Sequence, residues 1–527
     1  MTETEENKRL KQYILSAEQS KFIDEYCIRS MGIPSAVLME RAALAVAGLV
    51  GKKCGAEDRI LAVCHVGNNG ADGLAAARIL DGWGCSVTVF IVGRPEKGTE
   101  EFRMQLKILK HMDIRIEYVE EVPFECGGYD VIIDGIFGIG LSRDVQGIYA
   151  EIIEKINRSE CMVVSIDIPS GLNADTGQPM GIAVLADYTV TFGNLKLGHK
   201  ISKGRDYCGK IYIADIGFRK EAYNQLIDRE SLRYIFWEDK TGGASGIGSR
   251  EKPELPKRSQ ASNKGTYGKV AVIAGFGGMT GAAYFSAKAA YLCGAGLVKV
   301  ISVKETTSIL KSMLPEAVYA EIDGMKNLGG AIRELASDCR AVVIGPGLGQ
   351  GDAACEAVKA VLEVELPTVM DADALNILGS HRELFQCLRK NIIVTPHVLE
   401  LSRMTGTSRT EISGNIVAAA EDFAAVHGCI CILKDSSSVV SSMAEEQLQT
   451  YINITGNSGM AAGGSGDVLS GILGGLLAQK TGCREAAELG VYIHGIAGNL
   501  AAEEKTEYGV TASDILNAIP GAIGRLI

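Results

Sequence analysis

The first half of the chain contains the segment Arg59-Ile-Leu-Ala-Val-Cys-His-Val66-Gly67-Asn-Asn-Gly-Ala-Asp-Gly73. Its first eight residues are mostly apolar, which is typical of a buried strand, and a glycine-containing loop then leads into a helix from Leu74. The second half repeats this order, with a strand at 269–274, the loop Gly275-Phe-Gly-Gly-Met-Thr-Gly281 and an alanine-rich helix. Strand, glycine loop and helix in this order indicate a doubly wound α/β sheet, which binds ligands at the carboxyl ends of its strands.

Further strand-like runs alternate with amphipathic helical stretches in both halves. They lie at 86–92, 131–134 and 162–167, and then at 298–302, 341–344, 368–370, 392–395 and 429–434. We therefore predict an α/β protein of two doubly wound domains, 1–225 and 226–527, each a three-layer sandwich. A polar, aperiodic segment with glycine and proline at about 238–262 predicts the connector.

Another glycine-rich loop, near the C-terminus, places an aspartate at the start of a predicted helix. Its sequence is Asn457-Ser-Gly-Met-Ala-Ala-Gly-Gly-Ser-Gly-Asp467. Glycines let the backbone approach a ligand closely, and free N–H groups at the helix start attract a phosphate. Asp467 would then lie beside that phosphate and could accept a proton from a hydroxyl. The pattern predicts phosphoryl transfer to an alcohol; the alternative is a plain helix start with Asp467 as its cap.

Composition limits the class of protein. The 527 residues carry a net charge of −11, which argues against a nucleic-acid partner. The 14 cysteines form no Cys-x-x-Cys pair, so we expect free thiols, a reducing compartment and no structural zinc. The N-terminus is charged, so we expect no signal peptide there, and no apolar run reaches the length that crossing a membrane requires. We therefore expect a cytoplasmic protein.

Three glycine loops of the first half follow predicted strands and should converge on one crevice. They are residues 67–73, Asp134-Gly-Ile-Phe-Gly138-Ile-Gly140-Leu-Ser-Arg143-Asp144 and Asp167-Ile-Pro-Ser170-Gly171. The first is neither a dinucleotide fingerprint nor a P-loop, and its oxygen-bearing side chains suit a hard cation or sugar hydroxyls. Unrelated strand-end turns are the alternative interpretation.

These loops, with Ser16-Ala-Glu-Gln19, Leu38-Met-Glu-Arg41 and Thr191-Phe-Gly-Asn-Leu-Lys196-Leu-Gly198, resemble the NAD(P)H-hydrate epimerase family over most of residues 12–218. The resemblance implies a Rossmann-like domain that interconverts the R and S epimers of hydrated NADH and NADPH. It implies a potassium ion bound by Asn69, Asp134 and Ser170. The implied substrate contacts are Asn68, Asn69, Gly70, Ala71, Asp72, Gly138, Ile139, Gly140, Leu141, Ser142, Arg143, Asp144 and Asp167.

Asp167 and Ala71 carry further expectations within this implied site. Asp167 is the candidate acid/base group, because inverting the carbon that carries the hydroxyl needs proton transfer to and from oxygen. Ala71 replaces a glycine that is usual in the family, from which we expect reduced backbone freedom without loss of the site. The sequence leaves open whether the ring opens or water leaves and returns.

Several motifs of the second half occur in order within residues 263–520. They are Lys264-Gly-Thr-Tyr-Gly268, the loop at 275–281, Gly294-Ala-Gly296, Gly345-Pro-Gly-Leu-Gly349, Asp371-Ala-Asp373-Ala-Leu-Asn376, Thr395-Pro-His397 and the Asp467 loop. Together they resemble the ADP-dependent (or ATP-dependent) NAD(P)H-hydrate dehydratase family, which has a ribokinase-like fold. An epimerase followed by this dehydratase resembles the bacterial bifunctional enzymes that repair NADHX and NADPHX, the hydrated coenzymes.

The second resemblance implies roles for particular residues. Asp467 would deprotonate the substrate hydroxyl during phosphoryl transfer from ADP or ATP, with magnesium accompanying the nucleotide. The implied hydrate contacts are Ala282, Gly349, His397 and Asp467. The implied nucleotide contacts are Lys434, Asp435, Ser436, Ser437, Ser438 and Gly466. Homo-oligomerisation is implied by family resemblance alone.

This chain departs from the dehydratase pattern in two places. The family usually has Lys-Gly-Ala-Gly-Thr where residues 434–438 are Lys-Asp-Ser-Ser-Ser, so Asp435 adds negative charge near the expected phosphates. We expect lower nucleotide affinity or an altered donor preference. The segment Pro-His397-Val-Leu-Glu400 replaces the usual Pro-His-Pro-Gly-Glu, which keeps the histidine and the glutamate but changes the turn.

Some residues and functions keep alternatives at this point. His397 could be only a hydrogen-bonded loop residue. Asp371 and Asp373 could bind magnesium but are better interpreted as a strand-end cap. His494 is better interpreted as a core residue than as a catalytic one. The whole protein could instead be a small-molecule kinase, because this fold does not determine function. A nucleotide-binding sensor without catalysis is the third interpretation, which only the altered segment 434–438 favours.

Overall fold

The computed structural model describes residues 14–55, 57–229, 234–235, 254–276, 278–323, 327–444 and 446–527. The chain divides into two compact units, Met1–Leu232 and Arg233–Ile527. Of the predicted connector, residues 238–253 lie outside the described ranges, and residues 254–262 contain no helix or strand. The domain limits drawn from the sequence stay a prediction.

The first unit is built on a seven-stranded sheet in which all neighbouring strands are parallel. Its strands are β2 (Arg59–His65), β3 (Ser86–Val92), β4 (Arg115–Tyr118), β5 (Val131–Gly135), β6 (Met162–Ile166), β7 (Tyr188–Phe192) and β9 (Lys210–Ala214), beside the short pair β1 (Ile14–Leu15) and β8 (Leu195–Lys196). The order is β4-β3-β2-β5-β6-β7-β9. The winding therefore reverses between β2 and β5, where open α/β sheets form their ligand crevice.

Helices cover both faces of this sheet. They are α1 (Ala17–Arg29), α2 (Ser35–Lys53), α3 (Asn68–Gly82), α4 (Glu100–His111), α5 (Ile148–Arg158), α6 (Gly204–Tyr207) and α7 (Lys220–Arg229), with 3-10 turns at Pro95–Lys97 and Leu197–His199. Adjacent residues of β2 belong to opposite layers, since Ile60 packs with α2, α3 and α4, whereas Leu61 packs with α5. Two covered faces explain the nearly continuous apolar strands.

The second unit contains a ten-stranded sheet that is parallel in its centre. Its strands are β10 (Tyr234–Ile235), β11 (Lys269–Ile273), β12 (Leu297–Ser302), β13 (Val318–Glu321), β14 (Ala341–Ile344), β15 (Thr368–Met370), β16 (Ile392–Val394), β17 (Ile430–Leu433), β18 (Ser438–Ala444) and β19 (Gln447–Asn453). The order is β10-β19-β18-β17-β16-β15-β14-β11-β12-β13, and β18 pairs antiparallel with both neighbours. Here the winding reverses between β11 and β14.

The helices of the second unit complete its outer layers. They are α8 (Thr280–Leu292), α9 (Lys304–Met313), α10 (Leu328–Ala336), α11 (Asp352–Glu363), α12 (Asp373–Ser380), α13 (Val398–Thr405), α14 (Arg409–Gly414), α15 (Ile416–His427), α16 (Ser465–Ala478), α17 (Cys483–Gly509) and α18 (Ala512–Gly524), with 3-10 turns at Arg382–Cys387 and Ser458–Met460. The main core lies where α8, α16, α17 and α18 pack on one face of the sheet. Among the described residues, no helix combines the length and the apolar character that crossing a membrane requires.

The fold class predicted from the sequence is confirmed in both units. Each predicted strand is present, with ends that differ by at most one residue. The sequence analysis missed β7, the edge strands β4, β9 and β13, and the two-residue strands β1, β8 and β10. It also missed the hairpin of β18 and β19, whose polar residues interrupt the apolar pattern. These strands become evident only through their partners, because pairing with a neighbour, more than intrinsic preference, stabilises a strand at a sheet edge.

Candidate active sites

A cavity of about 1550 Å³ opens at the switch point of the first unit. Its walls include the loops after β2 and β5 together with Asp167, which follows β6. The predicted substrate contacts on these walls are Asn68, Asn69, Ala71, Asp72, Gly138, Ile139, Gly140, Leu141, Ser142, Arg143, Asp144 and Asp167. Gly70 lies behind them, against the His65 backbone. The loops predicted to converge are therefore neighbours in the fold.

The first of these loops is helical over most of its length. Asn68, Asn69, Gly70, Ala71 and Asp72 already belong to α3, which begins at Asn68. Ala71 is fully buried within the apolar cluster on this face of the sheet. Alanine is the residue most favourable to a helix, so this position has little need for the freedom of glycine.

The three predicted potassium ligands surround the backbone of Phe137. Asn69 Nδ2 donates to the Phe137 carbonyl oxygen at 3.0 Å, and Ser170 Oγ accepts from Phe137 N at 2.7 Å. Ser170 Oγ also donates to Asp134 Oδ1 at 2.5 Å, and its N–H donates to Asp134 Oδ2 at 2.9 Å. The side-chain oxygen atoms of Asn69, Asp134 and Ser170 suit a hard cation. The Phe137 carbonyl oxygen is a fourth possible ligand, which the sequence analysis did not include.

Asp134 is fully buried, and among the described residues no lysine or arginine pairs with it. Burial raises the pKa of this carboxyl above its ordinary value, although hydrogen bonds from Ser170 and Ser165 oppose the shift. A buried carboxylate that lacks a counter-ion gains most from a bound cation. The side chains present therefore fit a monovalent cation.

Asp167 is held in an unusual position after β6. Its φ of 64° lies in the left-handed region, which is uncommon for a residue other than glycine. Its Oδ1 accepts from Lys196 Nζ at 2.5 Å and from Thr191 Oγ1 at 3.0 Å. Its Oδ2 has no hydrogen-bond partner in the part of the chain that the structure describes. One oxygen is thus anchored while the other is available to a ligand in the cavity.

Lys196 is the residue that the sequence analysis quoted but gave no role. Its side chain is only 2% exposed, and Nζ also donates to Thr191 Oγ1 at 2.8 Å and to the Phe192 carbonyl at 3.3 Å. Burial disfavours the charge on Asp167, but the Lys196 ammonium outweighs burial and lowers the pKa of that carboxyl. A lysine inside an otherwise apolar strand-end motif was the signal that could have identified it.

His199 holds the backbone of Asp167 in place. Its Nδ1 accepts from Lys196 N at 3.0 Å, so Nε2 carries the proton and donates to the Asp167 carbonyl oxygen at 2.9 Å. Burial, with the nearby Lys196 charge, lowers the pKa of His199 to about 3. This histidine is therefore neutral, and it orients the backbone of Asp167 instead of exchanging protons.

The second candidate site lies at the carboxyl ends of the central strands of the second unit. Ala282 and Gly349 follow β11 and β14, where the winding reverses, and a Cβ placed on Gly347 would lie 3.2 Å from the Ala282 Cβ. His397 and Lys434 follow β16 and β17, and the two backbones form a parallel bridge. The predicted contacts therefore lie along one edge of the sheet, as this topology requires.

Asp467 is the third residue of α16. Gly464, with φ of 90°, occupies the N-cap position, and this helix has no side-chain cap. The Asp467 carboxyl has no hydrogen-bond or ion-pair partner among the residues described, so the interpretation of Asp467 as a cap is wrong. Burial first, and the Asp371 charge second, raise the pKa of Asp467 to about 7. Such a carboxyl is suited to accept a proton near neutral pH.

Lys434, which is partly exposed, and the buried Asp371 form an ion pair beside α16. Lys434 Nζ donates to Asp371 Oδ1 at 2.8 Å, and Ser470 Oγ donates to Asp371 Oδ2 at 2.6 Å. A Cβ placed on Gly466 would lie 3.4 Å from Lys434 Nζ, so the absence of a side chain there lets the ammonium approach the helix start. Lys434 and Gly466, both predicted to contact the nucleotide, are therefore neighbours.

The strand-end aspartates have roles within the protein. Asp373 Oδ2 accepts from Gly349 N at 2.8 Å and so holds the loop after β14, while Asp371 holds Lys434. Both carboxylates thus brace loops of the site. Among the described parts of the chain, no group of three or more His, Cys, Asp or Glu side chains could by itself hold a metal ion.

The two histidines of this unit differ in position. His397 is the N-cap of α13, since its Nδ1 accepts from Leu399 N and Glu400 N, and its ring is 48% exposed. His494 lies in α17 with Nε2 3.2 Å from the Ser465 hydroxyl, and burial lowers its pKa to about 4. His494 is therefore a neutral residue that touches the first turn of the Asp467 helix.

The altered segment 434–438 connects β17 to β18. Asp435 and Ser436 are exposed, whereas Ser437 is buried. Burial within the fold raises the pKa of Asp435, although its surface is accessible to solvent.

Comparison with known proteins identifies relatives of both units. Residues 270–521 match the family model for NAD(P)H-hydrate dehydratase, and residues 35–198 match that for the YjeF-related protein N-terminus. A bifunctional NAD(P)H-hydrate repair enzyme of Thermofilum pendens is 34% identical over 97% of this chain and 96% of its own length. The enzyme of the same name from Moorella thermoacetica is 33% identical over 98% and 97%.

A similar solved structure is that of an ADP/ATP-dependent NAD(P)H-hydrate dehydratase from Bacillus subtilis, which was co-crystallised with ATP and Mg²⁺. It is 29% identical, covers 52% of this chain and 95% of its own chain, and has a TM-score of 0.44.

Proposed function

The chain belongs to the family of bifunctional NAD(P)H-hydrate repair enzymes, and on this basis we propose how its two units share the repair. The first unit interconverts the R and S epimers of NADHX and NADPHX. The second unit dehydrates the S epimer to NADH or NADPH at the expense of ADP or ATP. The observation that carries this assignment is the unpartnered Asp467 carboxyl at the start of α16, next to Gly466 and the Lys434 ammonium.

In the second unit, Asp467 takes the proton from the substrate hydroxyl while that oxygen bonds to the terminal phosphorus of the nucleotide. The bond from phosphorus to the bridging oxygen breaks, and its electron pair leaves with AMP or ADP. The free N–H groups at the start of α16 and the Lys434 ammonium stabilise the charge on the transferred group. Inorganic phosphate then leaves with the C–O electron pair, and loss of a ring proton restores the dihydronicotinamide.

The nucleotide lies against residues 434–438 and Gly466 in this proposal, and the hydrate lies against Ala282, Gly349, His397 and Asp467. Magnesium would screen the charges of the nucleotide phosphates. Because the described residues offer no metal-binding group of their own there, the ion would be held mainly through the phosphates.

In the first unit, the loops after β2 and β5 hold the hydrated nucleotide, and Asp167 exchanges protons with it. Potassium would be held by Asn69, Asp134 and Ser170, where it would offset the buried Asp134 charge and keep the loop after β5 in place. Free thiols at every one of the 14 cysteines agree with a reducing, cytoplasmic setting. Homo-oligomerisation stays a prediction.

The kinase interpretation differs in its product. A kinase would release a stable phosphorylated alcohol, whereas this enzyme releases inorganic phosphate and a dihydronicotinamide. The relatives match across both units, and an epimerase unit has a use only when the second unit acts on one epimer of the same compound. A sensor without turnover would show neither product.

The direct test mixes the protein with both epimers of NADHX and either ADP or ATP and follows the dihydronicotinamide absorbance. We expect a fast phase from the S epimer and a second phase that consumes the R epimer completely. Recovery that stops at the S fraction would contradict the epimerase assignment, and no recovery with either nucleotide would contradict the dehydratase assignment.

Lys196→Met tests the role of Asp167 as a base. Removal of the ammonium takes away the group that lowers the Asp167 pKa, so burial raises that pKa. A base must be ionised to act, and the acidic limb of the epimerase pH profile should therefore move to higher pH. Breaking the buried pair should also cost about 3–5 kcal/mol of unfolding free energy.

The matched control is Lys203→Met, which removes an exposed lysine from the same segment. It should change neither the pH profile nor the melting temperature. A profile of Lys196→Met whose acidic limb stays in place would show that Asp167 is not the group that titrates.

A further inference from the structure

The cavity of the first unit contains a second carboxyl whose surroundings differ from those of Asp167. Asp72 is the fifth residue of α3 and lines the cavity wall. Among the described residues it has no hydrogen-bond donor and no cationic partner, whereas Asp167 is bound by Lys196, Thr191 and Phe192. The free N–H groups of α3 belong to its first turn, before Asp72, so they do not compensate it.

The charged groups that face Asp72 are themselves acidic. They are Asp167 after β6, Asp24 on α1 and Glu101 on α4, and the Lys196 ammonium is already bound to Asp167. Burial first, and these three charges next, raise the pKa of Asp72 well above its ordinary range. Within one cavity the pKa of Asp72 is therefore raised and the pKa of Asp167 is lowered. An acid and a base that work in one site usually have pKa values separated in this way.

We propose that Asp72 is the general acid of the epimerase and Asp167 its general base, and that the hydroxyl is inverted by loss and return of water. The proposal rests on the epimerase function assigned above and adds a catalytic residue to it. Asp72 and Asp167 reach the cavity from different elements, α3 and the segment after β6, so they can act on the ring from different directions.

The hydroxyl leaves and returns as water in two steps. Asp72 gives its proton to the hydroxyl on the ring carbon next to nitrogen, the C–O bond breaks, and its electron pair leaves with the oxygen as water. The lone pair of the ring nitrogen forms a C=N bond and leaves a cation. A water molecule then adds to the other face of that carbon, the C=N pair returns to nitrogen, and Asp167 takes the proton of the added water.

One water is lost, one is gained, and one proton has moved from Asp72 to Asp167. Exchange of protons with solvent resets the pair, and the reverse reaction uses the two groups in the opposite roles. Cationic side chains also line the cavity, namely Lys21, Arg29, Arg143 and Lys196. The charges that act on Asp72 are nevertheless those of Asp24, Glu101 and Asp167, and this acidic wall favours the path because it stabilises a cationic ring beside Asp72. Ring opening would pass through a neutral aldehyde, which gains nothing from that wall.

The test uses the full chain, the purified R epimer of NADHX and water enriched in ¹⁸O, without nucleotide, and separates the epimers by chromatography. We expect Asp72→Asn to slow interconversion by about 10²-fold or more, as loss of a general acid does. The matched control is Asp81→Asn, which changes the same residue type near the other end of α3. It should stay within about twofold of the unchanged protein, by analogy with ordinary surface substitutions. In the unchanged protein, ¹⁸O should enter the hydroxyl as fast as the epimers interconvert.

The pH profile separates an acid from a structural role. With Asp72 present, the rate should fall at alkaline pH as this carboxyl ionises beside Asp24, Glu101 and the Asp167–Lys196 pair. Asp72→Glu keeps an acid but changes its position, so it should keep an alkaline limb with a shifted midpoint. This second variant decides the question if Asp72→Asn fails to fold, as judged by circular dichroism.

Three results would overturn the proposal. Asp72→Asn could interconvert the epimers at the unchanged rate, Asp72→Glu could leave the alkaline midpoint in place, or the hydroxyl could invert without uptake of ¹⁸O. If the unchanged protein does not interconvert the epimers at all, the epimerase function itself fails, and the proposal fails with it. That outcome is distinguishable because it needs no variant.

Discussion

Asp467→Asn should lower the rate of dehydration of S-NADHX by about 10²–10⁴-fold, the usual contribution of a general base. Asparagine has the same shape but cannot accept the hydroxyl proton. Its position in the first turn of α16 and its neighbours Gly466 and Lys434 are unchanged, so binding of the nucleotide and the hydrate should persist. Turnover with ADP and with ATP, and binding by calorimetry, measure the two effects separately.

The pH dependence of the unchanged enzyme follows from the same carboxyl. Burial and the Asp371 charge raise the pKa of Asp467 to about 7, so a growing fraction is protonated as the pH falls through neutrality. A protonated carboxyl is not a base, and dehydration should therefore slow below about pH 7. In Asp467→Asn the remaining slow rate should lack this limb.

Asp467→Asn should lower the activity of the protein but not its stability. A carboxyl with a raised pKa holds a proton in the folded state that the unfolded chain has already lost, so the free energy of unfolding decreases as pH rises from the ordinary range to about 7. Asp467→Asn removes this penalty and should melt at the same temperature or higher at pH 8. The matched control is Asp422→Asn on α15, an exposed carboxyl that should affect neither quantity. Unchanged turnover in Asp467→Asn would refute the proposed mechanism.

Gly70→Ala should lower the epimerase activity by about 10²-fold or more, while the dehydratase activity persists. A Cβ on Gly70 would lie 1.6 Å from the His65 carbonyl oxygen and 2.7 Å from its carbonyl carbon. Backbone atoms cannot rotate away as a side chain does, so the start of α3 must move from β2. This displacement carries Asn69 and Asp72 with it, and shifts of about 1 Å in an active site cost about that factor.

The same change should destabilise the first unit by about 3 kcal/mol or more, at the upper end of overpacking in a well-packed core. Gly82→Ala is the matched control, because Gly82 ends the same helix and a Cβ there meets nothing within 4 Å. It should stabilise the protein by less than about 1 kcal/mol, since alanine is favoured over glycine in a helix and the full effect applies only to the helix interior. Thermal unfolding and the two phases of the repair reaction measure these effects. Normal epimerase activity in Gly70→Ala would contradict the described packing of α3 on β2.

Local sequence patterns determined the fold class and the positions of the site loops. The apolar runs at 86–92, 341–344 and 368–370 coincide with strands, because burial on both faces demands such runs. The loops carrying Asn69, Gly138 and Asp167 do meet at one cavity, since parallel strands place their carboxyl ends at one edge. The sequence did not indicate the contacts of single residues such as His494. The structure brings His494 against Ser465 at the start of the Asp467 helix, although its sequence context indicated only a core position.

The sequence by itself determined which loops carry glycines and acids and the order in which they follow strands, because these patterns are local. Only the tertiary structure decided which of these acids are ionised and which hold a proton. Lys196 reaches Asp167 across 29 positions and Lys434 reaches Asp371 across 63, while Asp72 is left among other acids. These pairs form because nearby strands, β6 and β7 in the first unit and β15 to β17 in the second, end at the same edge of their sheet. Ionisation depends on burial and on charges within a few ångströms, which no spacing along the chain encodes.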